Sequence, residues 1–203
     1  MFGYTWYFGM LAAVVAAVAY GRYIYTIVFG GTTPSKASWI VWAFVGVIIA
    51  LSYKFSGGGD CLPAVIVYAV GPPVVLFFIF QNSTWKLEPN EWGALAVSMI
   101  AIVLWWHYKS AVVGLYIEIL ADLLGAYGTA RHAKKSPEEE DVPTWTLSAA
   151  GAITNLLAID AWQLTDARSV IKWLYPIIVV GMCLTILAFS LRKPKTKSFS
   201  IPA

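Results

Sequence analysis

Charge is what this chain has least of. Only 12% of its 203 residues are Asp, Glu, Lys or Arg, about half the share of a soluble domain, while 59% are apolar. With a mean hydropathy of +0.69, that shortage excludes an ordinary soluble domain and makes the bilayer the solvent to reason about. The basic residues lie between apolar runs and at the C-terminus, without a continuous patch, so a nucleic-acid partner is not expected. Cysteine is nearly absent: Cys61 falls near a helix end and Cys183 inside a helix, so two free thiols are expected. His107 and His132 are far apart in sequence, and no metal-ligand cluster or cofactor motif accompanies them. Ser56-Gly57-Gly58-Gly59-Asp60 lacks the lysine and hydroxyl of a phosphate-binding loop and reads as an outer turn. No nucleophile–base constellation is visible, so an enzyme is not expected. Met1 to Met10 carries no basic n-region, and the first apolar run is expected to stay as a membrane helix.

What is present is a series of apolar runs. At about 20 residues per span, seven segments are predicted, near 6–29, 37–54, 61–81, 91–108, 110–131, 143–164 and 170–191. The fourth and fifth meet in a tight turn at His107-Tyr108-Lys109-Ser110. Orientation follows the basic residues of the short loops. With the N-terminus outside, the inner side receives Lys36, Lys86, Arg131, Lys134, Lys135, Arg192, Lys193, Lys195 and Lys197; the outer side receives only Lys54, Lys109, Arg168 and Lys172. The prediction is therefore N-out, C-in, with a basic tail over 192–203 suited to anionic lipid. In the longest inner loop, Glu138-Glu139-Glu140-Asp141 precedes a predicted helix start, where acids suit the helix dipole; a docking site for a partner is the alternative.

A turn and a tryptophan-led helix, Pro34 to Trp39, have a looser echo about a hundred residues later at Pro137 to Trp145. Tyr20-Gly21 against Tyr127-Gly128, Gly46 against Gly151, and the Pro63 segment against the Pro176 segment extend the echo. The pattern predicts a first triple-helix bundle over 1–81, a linker helix over 82–109, and a second bundle over 110–191, parallel to the first. In this 3+1+3 plan the chain resembles the SWEET and PQ-loop transporter superfamily, in which a proline-containing turn precedes the second helix of each half. It is also similar to the nicotinamide riboside transporters, which share the plan and its tryptophan richness, as in Trp39-Ile40-Val41-Trp42, but in reversed orientation. The resemblance implies alternating access by rocking of one bundle against the other.

Charged groups at membrane depth are costly and mark candidate sites. Glu118 and Asp122 are spaced i, i+4 on the fifth segment, in one stripe with Gly114, Gly125 and Thr129. Two carboxylates so close in low dielectric resist joint ionisation and suit a proton or a cation. Arg22, inside the first segment, is the predicted counter-charge; the alternative is that this pair serves packing only. On the sixth segment Ser148, Gly151 and Asn155 fall at near-helical spacing, with Asn155 predicted to orient a polar substrate or merely to bond a neighbouring helix. Trp39, Trp42 and Trp145 are either interfacial anchors or an aromatic gate or stacking wall for a ring-bearing substrate or a sugar. Gly71-Pro72-Pro73 marks a hinge or a fixed bend.

The expectation is an all-α polytopic protein of a bacterial-type inner membrane. It would carry a small polar or cationic solute across the lipid bilayer, with protons as the coupling ion, alone, as a homo-oligomer or in a larger complex. The alternative is a non-transporting subunit that scaffolds a complex or binds pigment or lipid. A retinal linkage is disfavoured because Lys172 lies near the end of the last segment.

Overall fold

The computed structural model describes residues 3–55, 59–82, 111–159 and 167–192, with isolated helical positions between 92 and 107. These residues form six α-helices and no strand: α1 (Tyr4–Phe29), α2 (Lys36–Phe55), α3 (Leu62–Asn82), α4 (Ala111–Lys135), α5 (Val142–Leu156) and α6 (Ala167–Ser190). Short 3-10 turns at Gly59–Cys61 and Pro137–Glu139 lead into α3 and α5. Four stretches are both long and apolar enough to cross a bilayer: Tyr4–Phe29, Lys36–Phe55, Gly59–Asn82 and Trp173–Ser190. Seven were predicted. The predicted linker helix and most side chains in the first two turns of α4 lie outside the described residues, and α5 is too short.

Each boundary has a local cause. α1 closes when the Gly30 N–H bonds the Thr26 carbonyl at 2.9 Å, and Gly31 then takes φ 78°, a left-handed conformation that only glycine adopts without strain. Pro34 disfavours helix at Thr33 before it, and α2 opens with the Trp39 N–H bonding the Ser35 carbonyl at 3.4 Å. α5 starts on Asp141, whose carboxylate accepts from the Thr144 N–H at 2.9 Å, with Pro143 in the first turn. It ends at Leu156, well short of the predicted 164, because the N–H groups of Leu157 and Ala158 fold back onto the carbonyls of Thr154 and Asn155. α3 runs unbroken from Leu62 to Asn82 through Pro72-Pro73.

The surface is the inverse of a soluble protein's. Large apolar side chains such as Phe29 and Phe55 (78% exposed) point outward, as they would toward lipid. Inward-facing positions on α1 are small, Gly9, Ala12, Ala13, Ala16 and Ala19, which lets α5 pack closely along it. Within the first three helices, α3 packs against both α1 and α2; within the last three, α6 packs against both α4 and α5. Between the triples, α1 meets α5 and α2 meets α4. Two buried clusters fill the interior: one around Ile49, Tyr53, Val65 and Tyr175, the other around Tyr23, Trp39, Trp42, Trp145 and Ile186. Cys61 and Cys183 are both buried and form no disulfide.

Candidate functional site

The second cluster borders a cavity of about 80 Å³, reached from all six helices. Seven aromatic rings line it: Tyr20 and Tyr23 from α1, Trp39 and Trp42 from α2, Tyr68 from α3, Trp145 from α5 and Tyr175 from α6. Asp122 of α4 and Ser148 of α5 are the polar side chains set among them, with Thr144 at the start of α5. The volume suits a few waters or a very small ion, and is well below the roughly 300 Å³ of a typical ligand pocket.

The rings are fixed by one another. Tyr23 stacks on Trp39 at 5.1 Å between centroids, and Trp42 meets Trp39 edge-on at 5.2 Å. Trp145 closes the group at 6.0 Å from Tyr23 and 6.5 Å from Trp42. All three tryptophans are buried, so they act as a wall inside the bundle and not as anchors in a headgroup belt. The Trp42 indole N–H donates to the Asp122 carbonyl at 3.3 Å, and its ring lies where Gly125 has no side chain. A Cβ on Gly125 would come within 2.8 Å of that indole nitrogen. Gly71 plays the same part for the Tyr20 ring.

Asp122 is 7% exposed. It stands eleven residues from the start of α4, about 17 Å along the axis, near the middle of the helix. Among the described residues no hydrogen bond or ion pair reaches its carboxylate, and the Tyr68 hydroxyl, buried on the same cavity, also lacks a partner. The side chain of Glu118 lies outside the described residues, so the predicted pair is placed at Asp122 alone.

Two predicted site residues lie elsewhere. Among the described residues Arg22 pairs with Asp141 and not with Asp122. Its Nε and Nη2 donate to the two oxygens of Asp141 at 2.7 and 3.0 Å, because Arg22 sits in the last third of α1, level with the loop before α5. Asn155 is 1% exposed but does not line the cavity; with α5 ending one residue later, it falls in the last turn. There its carbonyl accepts from the Cys61 thiol at 3.5 Å, and among the described residues its side-chain amide has no partner.

A residue not singled out in the sequence stands beneath the rings. Glu140 is 6% exposed, and its Oε2 accepts from both the Tyr23 hydroxyl and the Trp145 indole N–H, each at 2.8 Å. Among the described residues its Oε1 is buried without a partner. Burial pushes its pKa up to about 7; the bonds from Trp145 and Tyr23 pull it down, and the charges of Glu139 and Asp141 push it up again. Its neighbour Asp141 goes the other way. Partial burial raises its pKa, but hydrogen bonds from Arg22 and Thr144 outweigh this and hold it below the usual value. The four acids thus do not form one solvated run: Glu139 accepts from Thr33 and pairs with His132 at 3.2 Å, Asp141 caps α5, and Glu140 turns inward. The signal available in the sequence was its place one residue before a Pro-containing helix start, five residues ahead of a tryptophan.

Comparison with protein-family models, with curated proteins and with solved structures returned no match.

Proposed function

We propose that the chain is a secondary transporter of a small, positively charged organic solute, working by alternating access with protons as the coupling ion. The observation that carries this reading is the buried Asp122 carboxylate, set among aromatic faces at mid-helix with no partner among the described residues. A packing role does not call for a carboxylate there, since an isolated ionised group in low dielectric costs several kcal/mol. Aromatic faces next to a carboxylate are a recognition chemistry for ammonium ions: the rings present negative π-faces and the acid supplies the counter-charge. Neutral sugars would find few free hydrogen-bonding groups here. Asp122 is the cation and proton site, Trp39, Trp42 and Tyr23 the wall of the pocket, and Ser148 an added donor or acceptor. Glu140 lies on the path between the cavity and the loop side.

The packing supports the 3+1+3 plan. Exchanging α1, α2 and α3 for α4, α5 and α6 maps every helix–helix pairing onto another: α1·α3 onto α4·α6, α2·α3 onto α5·α6, and α1·α5 onto α4·α2. Such a pattern fits two equivalent triples about an axis along the membrane normal, joined by the predicted linker over 82–109. The equivalence is looser in detail, since Gly46 approaches α3 whereas Gly151 approaches α1. In this reading the narrow cavity is that of an occluded conformation, and rocking of the triples widens it.

Solid-supported membrane electrophysiology on reconstituted protein tests the reading. Small organic ammonium ions should evoke a saturable transient current, and neutral sugars of similar size none. A non-transporting subunit would give no current with either.

A further inference from the structure

Among the described residues a second concavity lies between α4 and α6, with a volume of about 1270 Å³. Its two ends differ in chemistry. One end is bordered by Arg131, Lys134, Lys135 and Arg192, with no carboxylate among the lining residues; the other is apolar, running up to Leu123 and Ile177. Among the described residues none of the four cations has an ion-pair partner. Two of them are held in place by an aromatic ring: the Arg192 guanidinium lies 4.5 Å from the centre of Phe189, and Lys134 Nζ lies 5.8 Å from it.

From Lys134 back to Leu123 is eleven residues of α4, about 16 Å of helix. Half the hydrocarbon core of a bilayer is about 15 Å. The groove is therefore one leaflet deep, charged where headgroups would lie and apolar where acyl chains would lie. Gly181 of α6 leaves its middle open: a Cβ there would meet nothing within 4 Å. A basic last turn on α4 would by itself suit the helix dipole, but that does not account for Arg192, just past the end of α6, at the same mouth or for the leaflet-deep channel behind it.

We infer that the α4–α6 groove is a binding site for one anionic phospholipid, its phosphate held by Lys134, Arg192 and Arg131 and an acyl chain laid past Gly181. The lipid would bridge two helices of the second triple.

Native mass spectrometry of the protein released from nanodiscs containing equal phosphatidylglycerol and phosphatidylcholine provides the test. Wild type should keep phosphatidylglycerol preferentially. Lys134→Gln and Arg192→Gln should each lower that preference by about fivefold, while leaving phosphatidylcholine carry-over unchanged. Gly181→Leu, which fills the groove from an open position and improves helix propensity, should reduce retention of both lipids without lowering the melting temperature. Equal retention of both lipids by wild type, or a preference that survives these substitutions, overturns the site. So does efficient disulfide-linked dimer formation by Gly181→Cys in native membranes, which would mean that a second copy covers the groove.

Discussion

The Tyr23 hydroxyl donates to Glu140 at 2.8 Å, joining the first triple of helices to the loop that opens the second half of α4–α6. The same carboxylate oxygen takes the Trp145 indole proton, so one acid ties α1 and α5 to the floor of the aromatic cavity.

Because Glu140 has a pKa of about 7 in the fold against an ordinary 4.5, the native state binds the extra proton between those values. Stability should be greatest at the acidic end of that window and fall as pH rises toward about 7, by at most about 3 kcal/mol. Glu140→Gln keeps an acceptor for Tyr23 and Trp145 but cannot ionise. Thermal melts between pH 5 and pH 8 should slope for wild type and flatten for the variant, which should be the more stable at pH 8.

Asp141 makes the opposite contribution. Its stabilisation is present above about 3.8, its ordinary value, and lost only as pH falls further through its lowered pKa. Asp141→Ala removes the cap of α5 and should cost about 1–2 kcal/mol, and Asp141→Ser should recover most of the capping share. Denaturation of the three proteins side by side checks the order.

Gly125→Ala puts a methyl against the Trp42 indole, which must shift from its bond to the Asp122 carbonyl. The expected loss is about 1–3 kcal/mol, with a change in tryptophan emission. Gly21, where a Cβ meets nothing within 4 Å, serves as the control: Gly21→Ala should be neutral or stabilising.

Much of the general reading was legible in the sequence, and the reasons are physical. Scarce charge and long apolar runs point to a helical membrane protein because the bilayer demands both. Asp122 stood out because a carboxylate inside an apolar run has few uses, and of its stripe-mates Gly125 takes the Trp42 ring of α2 while Thr129 is fully buried. Depth along a helix, however, does not give the helix's end or the direction it faces. Asn155 falls in the last turn of its helix and away from the cavity, because α5 stops at Leu156. Arg22 and Asp141 are 119 residues apart, and no local pattern joins them. Glu140 was hidden by its company: a run of four acids reads as solvated, and only the tertiary fold separates the one that turns inward.

The central claim rests on Asp122 as the site of the transported charge. Its most direct test is uptake of a small organic ammonium ion into proteoliposomes by wild type and Asp122→Asn, across a pH gradient, with melting temperatures measured in parallel. Wild type should show saturable, gradient-driven uptake, and the variant should lose at least about tenfold of it while melting no lower, since Asn is nearly isosteric and removes a costly buried charge. Uptake by the variant at the wild-type rate and with the wild-type pH dependence, or no saturable uptake by wild type, would contradict the account.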